Sequence, residues 1–198
     1  GLAAATHRVM SDRIEAGTLI VAGALAGGRI VLEGAPHAAL EAVYDKIREA
    51  GVDLAAVGDD LVVESGGAIR SAGVTTRPYP GFPTDMQAQF MALMTIGNGV
   101  SIINETIFEN RFMHVSELGR LGADITLEGH TAVVKGVERL SGAPMMATDL
   151  RASAGLILAA LAARGPSEIS RVYHLDRGYD RLDAKLAALG ARISRVPE

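Results

Sequence analysis

Three stretches of this chain, roughly 12–26, 85–97 and 149–163, are apolar nearly all the way round the helix each would form. Leu19, Ile20, Val21 and Leu25 leave the first without a polar face. Phe90, Met91, Leu93, Met94 and Ile96 do the same in the second, and Leu156, Ile157, Leu158 and Leu161 in the third. A helix apolar on every side is buried on every side. Doubly wound α/β sheets keep their helices outside with one wet face, so that arrangement is disfavoured here.

The three stretches head three copies of one unit. Each opens on an acid (Asp12, Asp85, Asp149) and passes through a strand-like run and an amphipathic helix to a Leu/Ala-Gly turn at Gly51, Gly122 and Gly190. From Asp12 to Gly51, Asp85 to Gly122 and Asp149 to Gly190 the chain runs 39, 37 and 41 residues. Pro83-Thr84-Asp85-Met86-Gln87-Ala88 also matches Ala147-Thr148-Asp149-Leu150-Arg151-Ala152. Such internal periodicity sets the architecture. The expected fold is α/β, a pseudo-threefold repeat of βαβαββ-like units about 1–66, 67–140 and 141–198. Three parallel helices are buried at its centre and sheets lie outside, all within one domain spanning 1–198.

The second helix of each unit is expected near 37–50, 110–121 and 178–189. In the first of these, Leu40, Val43, Tyr44 and Ile47 form a helical stripe, and in the third Leu182, Leu186 and Leu189 do. Strands are expected at 29–33, 100–103 and 167–172 after Gly or Pro, and hairpins at 53–57 with 61–64 and at 125–127 with 131–134. The third copy offers one further strand, 192–196, whose partner would come from the N-terminal stretch or from a segment outside this sequence.

Composition removes several function classes. With 19 basic and 23 acidic residues the net charge is −4, against a general nucleic-acid binder. Zero Cys excludes a disulfide framework, a Cys-ligated metal and a Cys nucleophile within these residues. The five His have no metal-ligand spacing, and no P-loop or dinucleotide glycine fingerprint is present, so no metal or cofactor is expected. No apolar run approaches the roughly 18 residues of a membrane span, and no signal-peptide pattern opens the chain, so the expected compartment is the cytoplasm, with no membrane partner. The sequence begins at Gly1 rather than Met, which reads as a processed product or a piece of a longer protein.

Parallel first helices would bring three N-termini, each partially positive, to one end. Thr84 and Thr148 are plausible N-caps with the following Asp in the first turn. Near that end the repeat places Arg13 and Arg151 in first turns, and Arg111 and Arg177 before second helices. Guanidinium groups suit phosphate and carboxylate. Arg13, Arg111 and Arg177 could instead pair with Glu15, Glu109 and Asp176, and Asp12, Asp85 and Asp149 could be plain first-turn acids. A carboxylate among arginines could otherwise orient or deprotonate a substrate hydroxyl.

Four blocks carry a family resemblance: Pro83-Thr84-Asp85-Met86-Gln87-Ala88-Gln89, Phe108-Glu109-Asn110-Arg111-Phe112-Met113-His114, Ala147-Thr148-Asp149-Leu150-Arg151-Ala152-Ser153 and His174-Leu175-Asp176-Arg177-Gly178-Tyr179. With Asp12-Arg13-Ile14-Glu15-Ala16-Gly17-Thr18 they make the chain resemble the C-terminal domain of the UDP-N-acetylglucosamine enolpyruvyl transferases, the 1-carboxyvinyltransferases of peptidoglycan synthesis. These transfer enolpyruvate from phosphoenolpyruvate to the sugar 3′-hydroxyl through a tetrahedral intermediate, releasing phosphate. The resemblance implies that Asp85 is the base for that hydroxyl, and that Ile107, with Phe108 beside it, contacts the nucleotide sugar. It implies further that Arg151 and Arg177 hold phosphoenolpyruvate, that Arg111 and Asp149 line the cleft, and that Asp12, Glu15 and Glu109 support it.

The family's other domain, with its acid-bearing loop, Lys-Asn pair and most uridine contacts, has no counterpart in these residues. This chain alone is therefore expected to fold but not to turn over. Two alternatives stay open: an enzyme like 3-phosphoshikimate 1-carboxyvinyltransferase, which shares fold and chemistry, and a non-catalytic ligand-binding module of the same repeats.

Overall fold

Each unit is built from helix–strand alternation, and its helix ends show why the units repeat. The computed structural model describes residues 3–196. The first unit runs α1 (Arg13–Ala26), β1 (Gly28–Leu32), α2 (Glu41–Glu49), β2 (Asp53–Val57) and β3 (Asp60–Ser65). The second runs β4 (Val74–Thr75), α3 (Gln87–Met94), β5 (Val100–Asn104), α4 (His114–Arg120), β6 (Asp124–Glu128) and β7 (Thr131–Lys135). The third has β8 (Pro144–Met146), α5 (Leu150–Ala162), β9 (Glu168–Ser170) and α6 (Leu182–Ala188). All three second helices stop the same way. Gly51, Gly122 and Gly190 adopt positive φ (91°, 88° and 102°). Just beyond them the N–H groups of Val52, Ala123 and Ala191 reach back to Ile47, Leu118 and Leu186 carbonyls at 3.2, 3.2 and 3.0 Å. This is the Schellman closure, which needs a residue tolerant of left-handed backbone.

The sheets are outer and small. β1-β3-β2 is antiparallel; β4-β5-β7-β6 adds parallel β4 to an antiparallel three; β8 and β9 pair in parallel. Only the second unit shows the full βαβαββ order. The strand expected at 192–196 is not formed: residues 191–196 have no regular structure, and neither do 3–12, so the N-terminal stretch supplies no partner to pair with. A lone segment without a ladder neighbour leaves its backbone groups to water instead. Second helices begin later than periodicity suggests. Residues 110–113 form turns, and Arg181 with φ of 48° breaks the chain before α6, leaving Leu189 exposed at its end.

At the centre α3 is buried along its entire length, and α5 from Ala152 to Ala159. α1 is buried less evenly: Leu19, Ala22 and Leu25 are only half-covered, the first two facing the small cluster of Leu175, Tyr179, Leu182 and Leu186. The thin third unit covers that side incompletely. Leading ends meet, since a Cβ on Gly17 of α1 would lie 2.7 Å from Met86 Sδ beside α3, and Asp85 just before α3 touches Arg151 in the first turn of α5. Trailing ends meet too: Ala26, Ile96 and Ala162 line one cleft. The three helices therefore run in the same direction.

α3 and α5 approach so closely that a Cβ on Gly155 would sit 2.8 Å from the Ala88 carbonyl oxygen. Gly155→Ala is expected to destabilise the fold by about 1–3 kcal/mol through overpacking, despite the ~1 kcal/mol that Ala gains over Gly in a helix. Gly119→Ala in α4, where a Cβ meets nothing within 4 Å, should stabilise by up to about 1 kcal/mol. Urea unfolding of the two variants checks the contrast in sign.

Candidate functional site

Asp12, Asp85 and Asp149 hold the same place in the repeat and meet different fates. Asp12 caps α1, its Oδ1 accepting from Ile14 N at 2.7 Å and Glu15 N at 3.2 Å. Asp149 caps α5, its Oδ1 accepting from Arg151 N and Ala152 N, both at 2.8 Å. The carboxylate itself is the cap, so Thr148 is not; its Oγ1 is buried without a partner among the described residues. Thr84 is no cap either. α3 is entered through a 3₁₀ turn, Thr84–Met86, behind Pro83, with no side-chain capping bond.

Asp85 is thereby left for other partners. Its Oδ1 accepts from Arg111 Nη1 at 2.8 Å and its Oδ2 from Arg151 Nη2 at 3.3 Å. The carboxyl is about one-third exposed while both guanidinium groups are more buried. Two positive charges thus share one negative one. Arg151 lies 5.6 Å above the Tyr179 ring, and Arg111 5.3 Å above that of Phe108. Beneath Arg151, Tyr179 Oη, Thr18 Oγ1 and Gln89 Nε2 form a buried network at 2.9–3.2 Å that joins all three units. Burial pushes the Tyr179 phenol up, against the opposing pull of its Thr18 bond and of the Arg151 charge.

The ordinary surface pairs considered from sequence do not form. Glu15 goes to Lys185 at 2.5 Å, tying α1 to α6, and Asp176 goes to Arg195 at 2.5 and 2.9 Å. Arg13 lies 5.5 Å over the Tyr79 ring. Glu109 is exposed and pairs with neither Arg111 nor Arg151. Arg177 is exposed at the end of a 3₁₀ segment, on a cavity of about 620 Å³ shared with Tyr179, Arg181 and Asp183, and makes no ion pair among the described residues. It is two residues from Tyr179 and so adjoins the Arg151 network, but no contact joins it to Asp85. Ile107 is half-buried and Phe108 exposed, on the loop leaving β5.

Sequence reasoning missed Glu105, His114 and Tyr179. Glu105 was detectable: it continues the inward parity of Ser101 and Ile103 on β5, an unusual place for an acid. His114, first in α4, is fully buried; burial pushes its imidazole down to about 4, with the Asp149 charge opposing and that of Arg111 reinforcing. Nothing in its spacing marked it.

The chain matches the family model described as EPSP synthase (3-phosphoshikimate 1-carboxyvinyltransferase) over residues 2–186. It is 61% identical over 199 residues to the UDP-N-acetylglucosamine 1-carboxyvinyltransferase of Geobacter metallireducens, covering 100% of this chain and 47% of that protein. The enzyme of the same name from Maricaulis maris is 58% identical, with 100% and 47% covered. The chain spans about half the length of the curated relatives it matches. Among solved structures, the enolpyruvyl transferase NikO from Streptomyces tendae superposes with a TM-score of 0.84 at 32% identity, over 92% of this chain and 44% of that one. EPSP synthase from Acinetobacter baumannii shares the fold, with a TM-score of 0.66 at 20% identity over 88% and 44%. No helix among the described residues is long and apolar enough to cross a membrane.

His114 generates a pH prediction. Its folded value lies below the unfolded 6.5, so the unfolded chain takes up the proton first, and stability is lost as pH falls from 6.5 towards 4. Between about pH 7 and about pH 4.5 the wild type should lose about 2 kcal/mol more than His114→Asn, as read by urea unfolding at each pH. Parallel acid limbs for the two would contradict a buried neutral imidazole. The threefold helical core, the Schellman-closed repeats and the match over nearly the whole length have one consequence: the chain belongs to the EPSP synthase (3-phosphoshikimate 1-carboxyvinyltransferase) family.

Proposed function

We propose that this chain is the part of an enolpyruvyl transferase that carries the acceptor hydroxyl's base and the arginines for phosphoenolpyruvate, the acceptor being UDP-N-acetylglucosamine. The observation that carries the reading is Asp85 held between Arg111 and Arg151 at one end of the helical core. Asp85 takes the proton of the sugar 3′-hydroxyl as its oxygen bonds to C2 of phosphoenolpyruvate and C3 gains a proton from the acid on the half of the site outside this chain. The tetrahedral adduct then loses phosphate, with a proton from C3 returning to the conjugate base of that acid, leaving the enolpyruvyl ether. Arg151 and Arg177 hold the phosphate and carboxylate, Arg111 fixes Asp85, and Asp149 lies beside the reacting group while capping α5. Ile107 and Phe108 meet the nucleotide sugar. Preorganised guanidinium charge is effective where water is excluded, which a single open half-site does not achieve. This chain alone is inactive, and the other half of the site comes from residues outside it. The product is the enolpyruvyl nucleotide sugar used in peptidoglycan synthesis, made in the cytoplasm.

The 58–61% identity to enzymes named for the UDP-sugar favours that acceptor over shikimate 3-phosphate, whose enzyme superposes at only 20% identity. Phosphate release by the whole gene product, with phosphoenolpyruvate and each acceptor in turn, decides between them. Release with shikimate 3-phosphate alone would reverse the assignment, and release with neither would leave a ligand-binding module. The 198-residue chain by itself should release none. In the whole gene product, Asp85→Asn should lower kcat about 100-fold or more while the Kd for the nucleotide sugar, read by calorimetry, changes less than about threefold. A loss of binding with turnover intact would remove Asp85 from the base role.

A further inference from the structure

Among the described residues Glu105 is the most deeply buried acid, 1% exposed, and it makes no ion pair there. Both of its oxygens nonetheless accept hydrogen bonds. Oε1 accepts from Thr76 Oγ1 at 2.7 Å, Ile107 N at 2.9 Å and Phe108 N at 3.1 Å. Oε2 accepts from Thr84 Oγ1 at 2.9 Å. Thr84 Oγ1 in turn accepts from Arg111 Nη1 at 3.0 Å, and that same nitrogen bonds Asp85 Oδ1 at 2.8 Å. A hydroxyl has one proton and two lone pairs. Given to Glu105, the Thr84 proton leaves its lone pairs turned to Arg111, so the Glu105 carboxyl sets the direction from which Arg111 approaches Asp85.

We propose that Glu105 is a positioning residue that couples the two parts of the acceptor site, holding the 106–108 loop with one oxygen and, through Thr84, the Arg111 clamp on Asp85 with the other. The proposal rests on the reading of Asp85 and this loop given above. It assigns to one buried carboxyl both where the acceptor is gripped and how its base is aimed. Thr106 strengthens the tie, its N–H donating to Thr76 Oγ1 at 2.9 Å and its hydroxyl to the Thr76 carbonyl at 2.5 Å.

The test begins with turnover of the wild-type gene product, which judges the functional reading by itself. Glu105→Gln preserves shape. Three donors hold the amide oxygen where Oε1 was, so its NH2 faces Thr84 Oγ1, which can no longer donate there. The expected result is a kcat lower by about 10- to 100-fold with KM for the nucleotide sugar within about threefold. Thr84→Val should give a similar kcat loss, and the double variant no more than either single one, because the two act along one chain. Glu105→Ala should add a KM rise of about tenfold as the loop is released. A kcat within about twofold of wild type for Glu105→Gln, or losses that multiply in the double variant, would overturn the proposal. Hydrogen exchange at the Ile107 and Phe108 amides needs no turnover: protection should persist in Glu105→Gln and be lost in Glu105→Ala. Unchanged protection in a folded Glu105→Ala sinks the coupling even if the wild type proves inactive.

Discussion

The contact between Gly155 and the Ala88 backbone sets the geometry on which the site depends. Arg151 lies four residues before Gly155 and Asp85 three before Ala88, so the ion pair sits about one turn above the point of closest helix approach. Larger side chains at that crossing would hold α3 and α5 apart, and the leading ends would diverge with them. The 3.3 Å Asp85–Arg151 contact is therefore a consequence of core packing as much as of charge. The third helix joins at the same level through Thr18 of α1, which meets Gln89 of α3 and Tyr179 after α5 in one buried network. Buried polar networks fix relative placement because a displaced member loses bonds that water cannot replace.

Repetition supplies three equivalent acids, and the local backbone decides what each can do. Asp12 and Asp149 have extended backbone before a regular helix, the geometry in which a carboxylate bonds the first free N–H groups. Pro83 and the 3₁₀ turn deny Asp85 that use. Its oxygens point instead to guanidinium groups from two other parts of the chain. Asymmetry at one helix entrance thus frees one of the three carboxylates to meet guanidinium groups, while the other two keep their core helices capped.

What the sequence disclosed follows the range of the forces involved. Periodic burial is written residue by residue, so α3 and α5 were legible as enclosed helices, and the turn glycines as the repeat's punctuation. The stripe of Leu40, Val43, Tyr44 and Ile47 is buried as its spacing implies. Failures occurred where a partner is required: 192–196 has strand-forming residues but no neighbour to pair with. At Thr148-Asp149 a hydroxyl and a carboxylate compete for the same N–H groups, and at Thr84 a 3₁₀ entry removes the competition, neither of which residue type alone decides. The Asp85–Arg111–Arg151 cluster was reached through the repeat and the family resemblance together. Charge pairing was illegible, since Glu15 and Asp176 choose partners far along the chain, Lys185 and Arg195.

Those long-range choices matter to the electrostatics of the leading end. A chain of net charge −4 would, on average, have carboxylates enough to pair every arginine. Drawing Glu15 to Lys185 and Asp176 to Arg195 leaves Arg13 on an aromatic ring and Arg177 on an open cavity, while Arg111 and Arg151 divide one carboxylate. The result is that Arg111 and Arg151 bring two guanidinium groups to the single Asp85 carboxylate, while the carboxylates of Asp12 and Asp149 at the same end are taken up by the first N–H groups of α1 and α5. Asp85 therefore answers two positive charges at once, and each guanidinium is further held by the ring it lies over, Phe108 for Arg111 and Tyr179 for Arg151.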